Sequence, residues 1–261
     1  MGMRHWNQPV WSKTRVVAGY EKYSELQPPE ETILSELQSE MTGKRILDIG
    51  VGAGRTTPHL LKLSKDYIGI DYSPQMVERC QTQYPSTAFD VCDARDLSRF
   101  RSGSFDLVIF SFNGIDYVDH GSRLKILNEV RRVLAERGAF VFSSHNRDTS
   151  IRRPWDLSHL SSVNPFMKPL RFAKRSVLYT LGIVNGIRNI KKESSCEDYA
   201  IINDEAHEYT LLTYYISIRS QIKQLKDIGF GKIDVFGLDG KTVDWERTTN
   251  RDPWIYYLCR V

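Results

Sequence analysis

Arg45-Ile46-Leu47-Asp48-Ile49-Gly50-Val51-Gly52-Ala53-Gly54-Arg55 reads as a buried strand that breaks into a glycine-rich turn and restarts as a helix. Ile46, Leu47 and Ile49 supply the short apolar run of a buried strand. Gly50, Gly52 and Gly54 let the backbone turn tightly and approach a ligand with no Cβ between them. About twenty residues on, a second apolar strand, Tyr67-Ile68-Gly69-Ile70, ends in Asp71. A glycine loop followed at that distance by a strand-end acid suits a nucleotide-like ligand whose ribose hydroxyls the carboxylate accepts. The dinucleotide fingerprint carries its third glycine three positions after the second. Here that position is Arg55, and the spacing is G-x-G-x-G, preceded by Asp48.

Working outward, strand and helix patterns alternate from Lys44 to Ser144, which argues for a parallel sheet covered by helices. Within this alternation fall the segments Phe89 to Ala94 and Ser104 to Ser111, the places of a third strand with its following turn and of a fourth strand. A helix through Leu127 to Leu134 should end in Ala135-Glu136-Arg137, stopped by Gly138, before a fifth strand through Ala139 to Phe142. Pro58 and Pro74 fit the first turns of helices, where a missing N–H costs little. Upstream, residues 12–26 and 29–42 read as two helices, the second with Ile33, Leu34, Leu37 and Met41 on one face. Residues 147–206 are expected not to continue the sheet. His207 to Ser217 reads as an extra strand beside the site, followed by a helix around Ile218, Ile222 and Leu225 that Gly229 closes. Strands at 232–236 and 254–258 follow.

The G-x-G-x-G loop with Asp48, Asp71 after the second strand, and the ordered segments up to residue 146 resemble the class I S-adenosylmethionine-dependent methyltransferases. The resemblance implies an α/β, Rossmann-like, seven-stranded, mostly parallel sheet with an antiparallel last strand. N-terminal helices and an insertion after the fifth strand complete it. The expected organisation is an N-terminal helical cap at 1–43, a cofactor-binding core at 44–146 and 207–261, and a substrate-side lid at 147–206. The resemblance implies S-adenosylmethionine as cofactor and S-adenosylhomocysteine as product. It assigns cofactor contact to Asp48, Gly50, Gly52, Gly54 and Arg55, and to Asp71, Tyr72 and Ser73. It does the same for Asp93 and Ala94 after the third strand and for Ser111, Phe112 and Asn113 after the fourth. Met76 packs on adenine or ribose, or simply between helix and sheet. Tyr20 either caps the carboxylate end of the cofactor or packs its own helix.

Methyl transfer from a sulfonium needs alignment and exclusion of water, and a base only where the nucleophile must lose a proton. His145, after the fifth strand, is the first candidate for that base or for a substrate ligand; the alternative is a histidine that bonds a neighbouring loop. His207 is a second candidate. Asp116 and Asn113 either bind substrate or order their loop. Asp119 and His120 fit the start of a helix, and no spacing supports a metal site. The Asn/Asp-Pro-Pro-aromatic motif of certain amide and nucleobase N-methyltransferases is absent.

Substrate information should lie in the insertion, because loops beyond the carboxyl ends of parallel strands form the ligand crevice. From Arg147 to Lys192 ten Lys and Arg face two acids, a balance of about +8, whereas Glu193 to Glu208 holds six acids and no Lys or Arg. Three readings stand: the halves pair or are solvated, the basic half steers an anionic substrate, or residues 170–192 lie on a membrane surface. Nucleic acid fits less well, since no RNA-binding module is recognisable and the formal charge is only +4.

The 261 residues suffice for one large domain, and 41% hydrophobic with 26% charged content is ordinary for a globular protein. Four scattered cysteines, no signal-peptide core and no apolar run of ~20 residues point to a cytosolic protein. The expectation is a methyltransferase acting on oxygen or nitrogen of a small molecule, such as a natural product, sugar or metabolite. An RNA or protein methyltransferase docking through the basic insertion, and a catalytically inactive cofactor-binding scaffold, are the alternatives.

Overall fold

The computed structural model describes residues 3, 7, 25–151, 180–205 and 209–261. Tyr20, His207, residues 12–24 and residues 170–179, on which expectations above rest, lie outside the described residues.

Seven strands form the core sheet: β1 (Ile46–Ile49), β2 (Tyr67–Asp71), β3 (Ala88–Val91), β4 (Phe105–Phe110), β5 (Leu134–Asn146), β9 (Ile233–Phe236) and β10 (Trp254–Arg260). Their order is β3-β2-β1-β4-β5-β10-β9. β1 runs parallel to both β2 and β4, and β10 runs antiparallel to both β5 and β9. The strand order therefore reverses between β1 and β4, where such sheets open a crevice at their carboxyl ends.

Apolar alternation decides which face each residue serves. Leu47, Val108, Phe140 and Phe142 point to the face covered by α4 (His120–Val133) and α5 (Ile218–Ile228). Ile46, Leu107, Val141, Tyr256 and Leu258 point to the other, covered by α1 (Pro28–Met41), α2 (Thr57–Leu63) and α3 (Pro74–Gln83). On α1, Ile33, Leu37 and Met41 are buried as the periodicity requires. Pro58 and Pro74 sit at the starts of α2 and α3, and Gly229 caps α5 with φ of 100°.

Three expectations are corrected. The helix preceding β5 ends at Val133, not at Arg137, because Leu134 is buried and pairs with Phe105 in the sheet. The register then jumps from Phe105↔Leu134 to Leu107↔Ala139, so the residues between bulge out. Gly138 serves that bulge and caps no helix: a Cβ there would lie 2.9 Å from the Leu134 side chain and 3.0 Å from Ala135 O.

The insertion also contributes to the sheet. β6 (Ser194–Ser195) pairs with β7 (Tyr199–Ile202), and β7 pairs antiparallel with β8 (Thr213–Ile216). β8 joins β5 in parallel at His145 and Asn146. β4 leaves β5 after Phe142 and β10 holds the opposite edge, so β8 occupies the vacated edge and satisfies its backbone groups. Finally, residues 25–27 are not helical, so no helix reaches residue 26.

Candidate functional site

Gly50, Gly52 and Gly54 have φ of 65°, 55° and 85°, a region glycine enters without steric cost. Gly50 and Gly54 are also packed tightly. A Cβ on Gly50 would stand 2.7 Å from the Phe110 ring, and one on Gly54 would stand 3.0 Å from Tyr84. Gly52 differs, because a Cβ there would meet nothing nearer than Gly50 O at 3.9 Å. Its open side is the cavity, which Gly50, Gly52 and Ala53 line from one side and Asp71, Tyr72 and Ser73 from the other.

Asp71 ends β2 and turns back onto this loop. Its Oδ2 accepts from Gly52 N at 3.0 Å and its Oδ1 from Ser73 N at 2.9 Å. Burial pushes its carboxyl up to about 6, against the lowering pull of the Ser73, Gly52 and Tyr72 backbone N–H groups. The two oxygens offer about four lone-pair sites, so the three N–H partners leave one for a hydroxyl donor. Asp48, below the loop, accepts from Thr56 Oγ1 at 2.6 Å and Tyr67 OH at 2.9 Å. Burial raises it to about 6 as well. Cys80 donates to Gly52 O at 3.2 Å, and burial pushes its thiol up to about 12.

Met76, Asp93 and Ala94 line the far end of the cavity, with Met76 only 4% exposed. Asp93 pairs with Arg95 at 2.7 Å. Apolar walls from Met76, Ala94 and Ile126, with the Asp93 carboxylate beside them as an acceptor, fit a flat base. Asp71 beyond Gly52 fits the sugar of the same nucleoside. The residues present therefore fit the nucleoside cofactor implied by the glycine loop.

At the opposite end Arg55 lines the cavity but is held by a residue the sequence reading passed over. Its Nη1 and Nη2 each lie 2.6 Å from a carboxylate oxygen of Glu30, and its guanidinium stacks 5.2 Å from the Phe112 ring centroid. Glu30 also accepts from Ser111 Oγ, from Tyr256 OH at 3.1 Å and from Gln27 N at 2.7 Å. Burial pushes the Glu30 carboxyl up, but hydrogen bonds and charge from Arg55, with Ser111 and Gln27 N, outweigh it and hold the group below the usual range. The one local signal was Gln27-Pro28-Pro29-Glu30, a capping box with proline in the first turn. Asn7 was passed over too. Its amide exchanges bonds with Leu212 N and O at 3.1 and 2.8 Å, donates to Tyr117 O at 3.0 Å, and lines the cavity.

After β4 the chain enters the left-handed region at two successive non-glycine residues, Phe112 (φ 53°) and Asn113 (φ 61°). Such strain collects at functional sites. Asn113 N donates to Ser143 Oγ at 2.8 Å, and its Oδ1 is buried with no hydrogen-bond partner among the described residues. Asn113 and Gly54 are not on the cavity wall, whereas Ser111 and Phe112 are.

His145 lies inside β5 rather than after it, and it does not line the nucleoside cavity. Both its backbone N and its Nδ1 meet Asp116 Oδ2, at 2.6 and 2.7 Å. Asp116 is fully buried, ion-paired with Arg123, and accepts from Ser144 Oγ at 2.8 Å. The carboxylate expected near the reacting atoms thus never reaches the cavity; it orders the loop and orients His145. Asp119 caps α4, accepting from Ser122 N at 2.9 Å. Among the described residues no three His, Cys, Asp or Glu are grouped to hold a metal.

Of the insertion's ten basic residues, Arg147, Arg188, Lys191 and Lys192 are described. Arg147 bonds the carbonyls of Cys196 and Glu197 at 2.7 and 2.6 Å, so it reaches the acidic half through backbone, not carboxylates. In the helical stretch 180–189, Gly182 and Gly186 face inward, while Leu181, Val184 and Ile187 are exposed. Among the described residues no helix is long and apolar enough to cross a membrane.

Residues 46–138 match the family model described as a methyltransferase domain. The chain matches that model from β1 into β5. It is 29% identical over 150 residues to the magnesium-protoporphyrin O-methyltransferase of Rhodobacter capsulatus, covering 52% of this chain and 62% of that one. It is 31% identical over 134 residues to the demethylmenaquinone methyltransferase of Beutenbergia cavernae, covering 51% and 53%. The chain thus spans between half and two thirds of these curated relatives. The fold matches the Burkholderia thailandensis 1,6-didemethyltoxoflavin-N1-methyltransferase, crystallised with its substrate and S-adenosylhomocysteine. The TM-score is 0.57 at 12% identity, over 97% of this chain and 88% of that one.

Proposed function

We propose that this protein transfers the methyl group of S-adenosylmethionine to an oxygen or nitrogen of a small-molecule acceptor. The observation that carries the reading is the apposition of Asp71 and Gly52: a buried strand-end carboxylate bonded to the one loop glycine whose open side faces the cavity. Asp71 receives the ribose hydroxyls, Asp93 and Met76 flank the base, and Ser111 and Phe112 lie toward the methionine end. The cofactor supplies an activated methyl on a sulfonium. The chain supplies alignment, exclusion of water through Asn7 and Tyr117, and a proton acceptor in His145. The two curated relatives named above are a magnesium-protoporphyrin O-methyltransferase and a demethylmenaquinone methyltransferase, which supports a small-molecule acceptor here.

Titration calorimetry with S-adenosylhomocysteine, followed by transfer of labelled methyl into a metabolite extract, tests the reading. Binding with transfer to a low-molecular-weight product is the expected result. Absence of binding would overturn it, and binding without transfer to any small molecule would replace it with a cofactor-binding scaffold.

A further inference from the structure

The helical stretch 180–189 is packed inside out. Its inward side carries small and polar residues: Gly182 and Gly186 are buried, and Asn185 and Asn189 half-buried. Gly182 is seated against Tyr209, where a Cβ would lie 3.1 Å from the ring, and Asn189 Nδ2 donates to Tyr209 O at 3.1 Å. These two contacts fix which side faces the protein. Leu181, Val184 and Ile187, with Ile190 in the turn that follows, stand outward and are 42–59% exposed. A helix that packs on a core turns such residues inward. Single exposed apolar side chains are ordinary, but four along one side of a short helix mark a surface that docks.

Charge says what the surface meets. Arg188 and Lys191 are exposed on the same side, one turn beyond Val184 and Ile187. From 157 to 192 the sequence holds seven Lys and Arg and no Asp or Glu. The next acid, Glu193, turns to accept from Asn203 N at 3.0 Å. Aliphatic side chains interleaved with cations suit a bilayer interface, where the first enter the acyl boundary and the second meet anionic headgroups. A second copy of the chain would bring the same cations face to face, and like charges repel. A stable protein interface takes about 800 Å² from each partner, more than four half-exposed aliphatic side chains provide.

We propose that residues 180–191 dock on an anionic lipid bilayer. Leu181, Val184, Ile187 and Ile190 enter the acyl boundary, and Arg188 and Lys191 lie at the headgroups. The proposal stands apart from the methyl-transfer reading, yet the docked helix and the nucleoside cavity are joined through one strap of chain. Asn203 Nδ2 donates to the same Tyr209 carbonyl at 2.9 Å and also to Leu211 O. Leu212, next along, exchanges hydrogen bonds with Asn7, and Asn7 lines the cavity.

The test is sedimentation of the full chain with vesicles of phosphatidylcholine alone and of phosphatidylcholine with about 30% phosphatidylglycerol. The expected result is binding at least about tenfold tighter to the anionic vesicles, weakening as salt rises. Val184→Ser combined with Ile187→Ser should weaken binding to the anionic vesicles at least about tenfold. Arg188→Gln combined with Lys191→Gln should weaken it about fivefold for each charge removed. All four residues are exposed, so thermal unfolding of both variants should match the parent. Absence of vesicle binding, equal binding to the two compositions, or a folded Val184/Ile187 variant that binds as the parent does would overturn the proposal. So would a parent dimer, seen by light scattering, that the same variant dissociates, because the face would then be a contact between copies.

Discussion

His145 Nδ1 lies 2.7 Å from Asp116 Oδ2, and Asp116 is itself clamped by Arg123 and Ser144 in the core behind β5. A carboxylate in that position accepts a hydrogen bond from Nδ1–H and leaves Nε2 as the nitrogen that can accept a proton. His145→Ala is expected to lower methyl transfer by about 100-fold or more, the usual scale for loss of a positioned base. Affinity for S-adenosylhomocysteine should stay within about threefold of the parent, since His145 is off the nucleoside cavity. Single-turnover transfer of labelled methyl, read beside calorimetry, separates the two effects. Unchanged transfer would remove His145 from the chemistry.

Glu30 and Arg55 couple the start of α1 to the glycine loop. Both are nearly buried, with side-chain exposures of 5% and 11%. Removing one partner strands a charge, whereas replacing both with apolar residues of similar volume does not. Glu30→Ala should destabilise the fold by about 3–5 kcal/mol, and the pair Glu30→Leu with Arg55→Met by much less. Because the Glu30 carboxyl is held below its ordinary range, its contribution is complete at neutral pH and is lost as the pH falls through that lowered value. Urea denaturation of both variants at about pH 7 checks the coupling. A double variant that loses as much stability as Glu30→Ala would show that the contact contributes little.

Asp71, raised to about 6 by burial, carries a pH signature of the opposite sign. Its contribution to folding is full in acid, below the ordinary carboxyl value, and is lost as the pH rises through about 6. Ligand binding runs the other way, because ribose hydroxyls donate best to the ionised carboxylate. Affinity for S-adenosylhomocysteine should be about tenfold weaker near pH 5 than near pH 7, and Asp71→Ala should weaken it strongly at either. A pH-independent affinity in the parent would contradict a ribose role for Asp71.

The core sheet was legible because its signals are local. Ile46 to Ile49 is an unbroken buried run, and the glycines and Asp71 sit at fixed spacings along it. Relationships made across the sequence were not legible. Glu30 reads as an ordinary first-turn acid until Arg55, Ser111 and Tyr256 converge on it from three other segments. Asp116 reads as a loop carboxylate near the reacting atoms, yet Arg123, seven residues on at the start of α4, draws it into the core. β6 and β7 were missed because two and four residues of strand carry almost no periodicity, and their pairing depends on an edge of β5 that only the departure of β4 exposes. The helix end at Val133 turned on Leu134, whose burial against Phe105 outcompeted the stop signal at Gly138.

Gly50 and Gly52 share positive φ and differ in what lies beside them, so equal substitutions should have unequal consequences. Gly50→Ala drives a methyl to 2.7 Å from the Phe110 ring, inside the core beneath α4. It should destabilise the fold by the backbone cost of about 1–2 kcal/mol plus an overpacking cost of about 1–3 kcal/mol. Gly52→Ala meets only Gly50 O at 3.9 Å, so it should cost the backbone term alone, about 1–2 kcal/mol. Its methyl enters the space opposite Asp71 that the nucleoside is proposed to fill, and affinity for S-adenosylhomocysteine should fall by at least about tenfold. Thermal unfolding of both variants, with and without S-adenosylhomocysteine, checks the pair. Gly52→Ala should melt a few degrees below the parent, less far below it than Gly50→Ala, and lose the ligand-induced rise in Tm. A full rise in Gly52→Ala would place the ligand elsewhere than against this glycine.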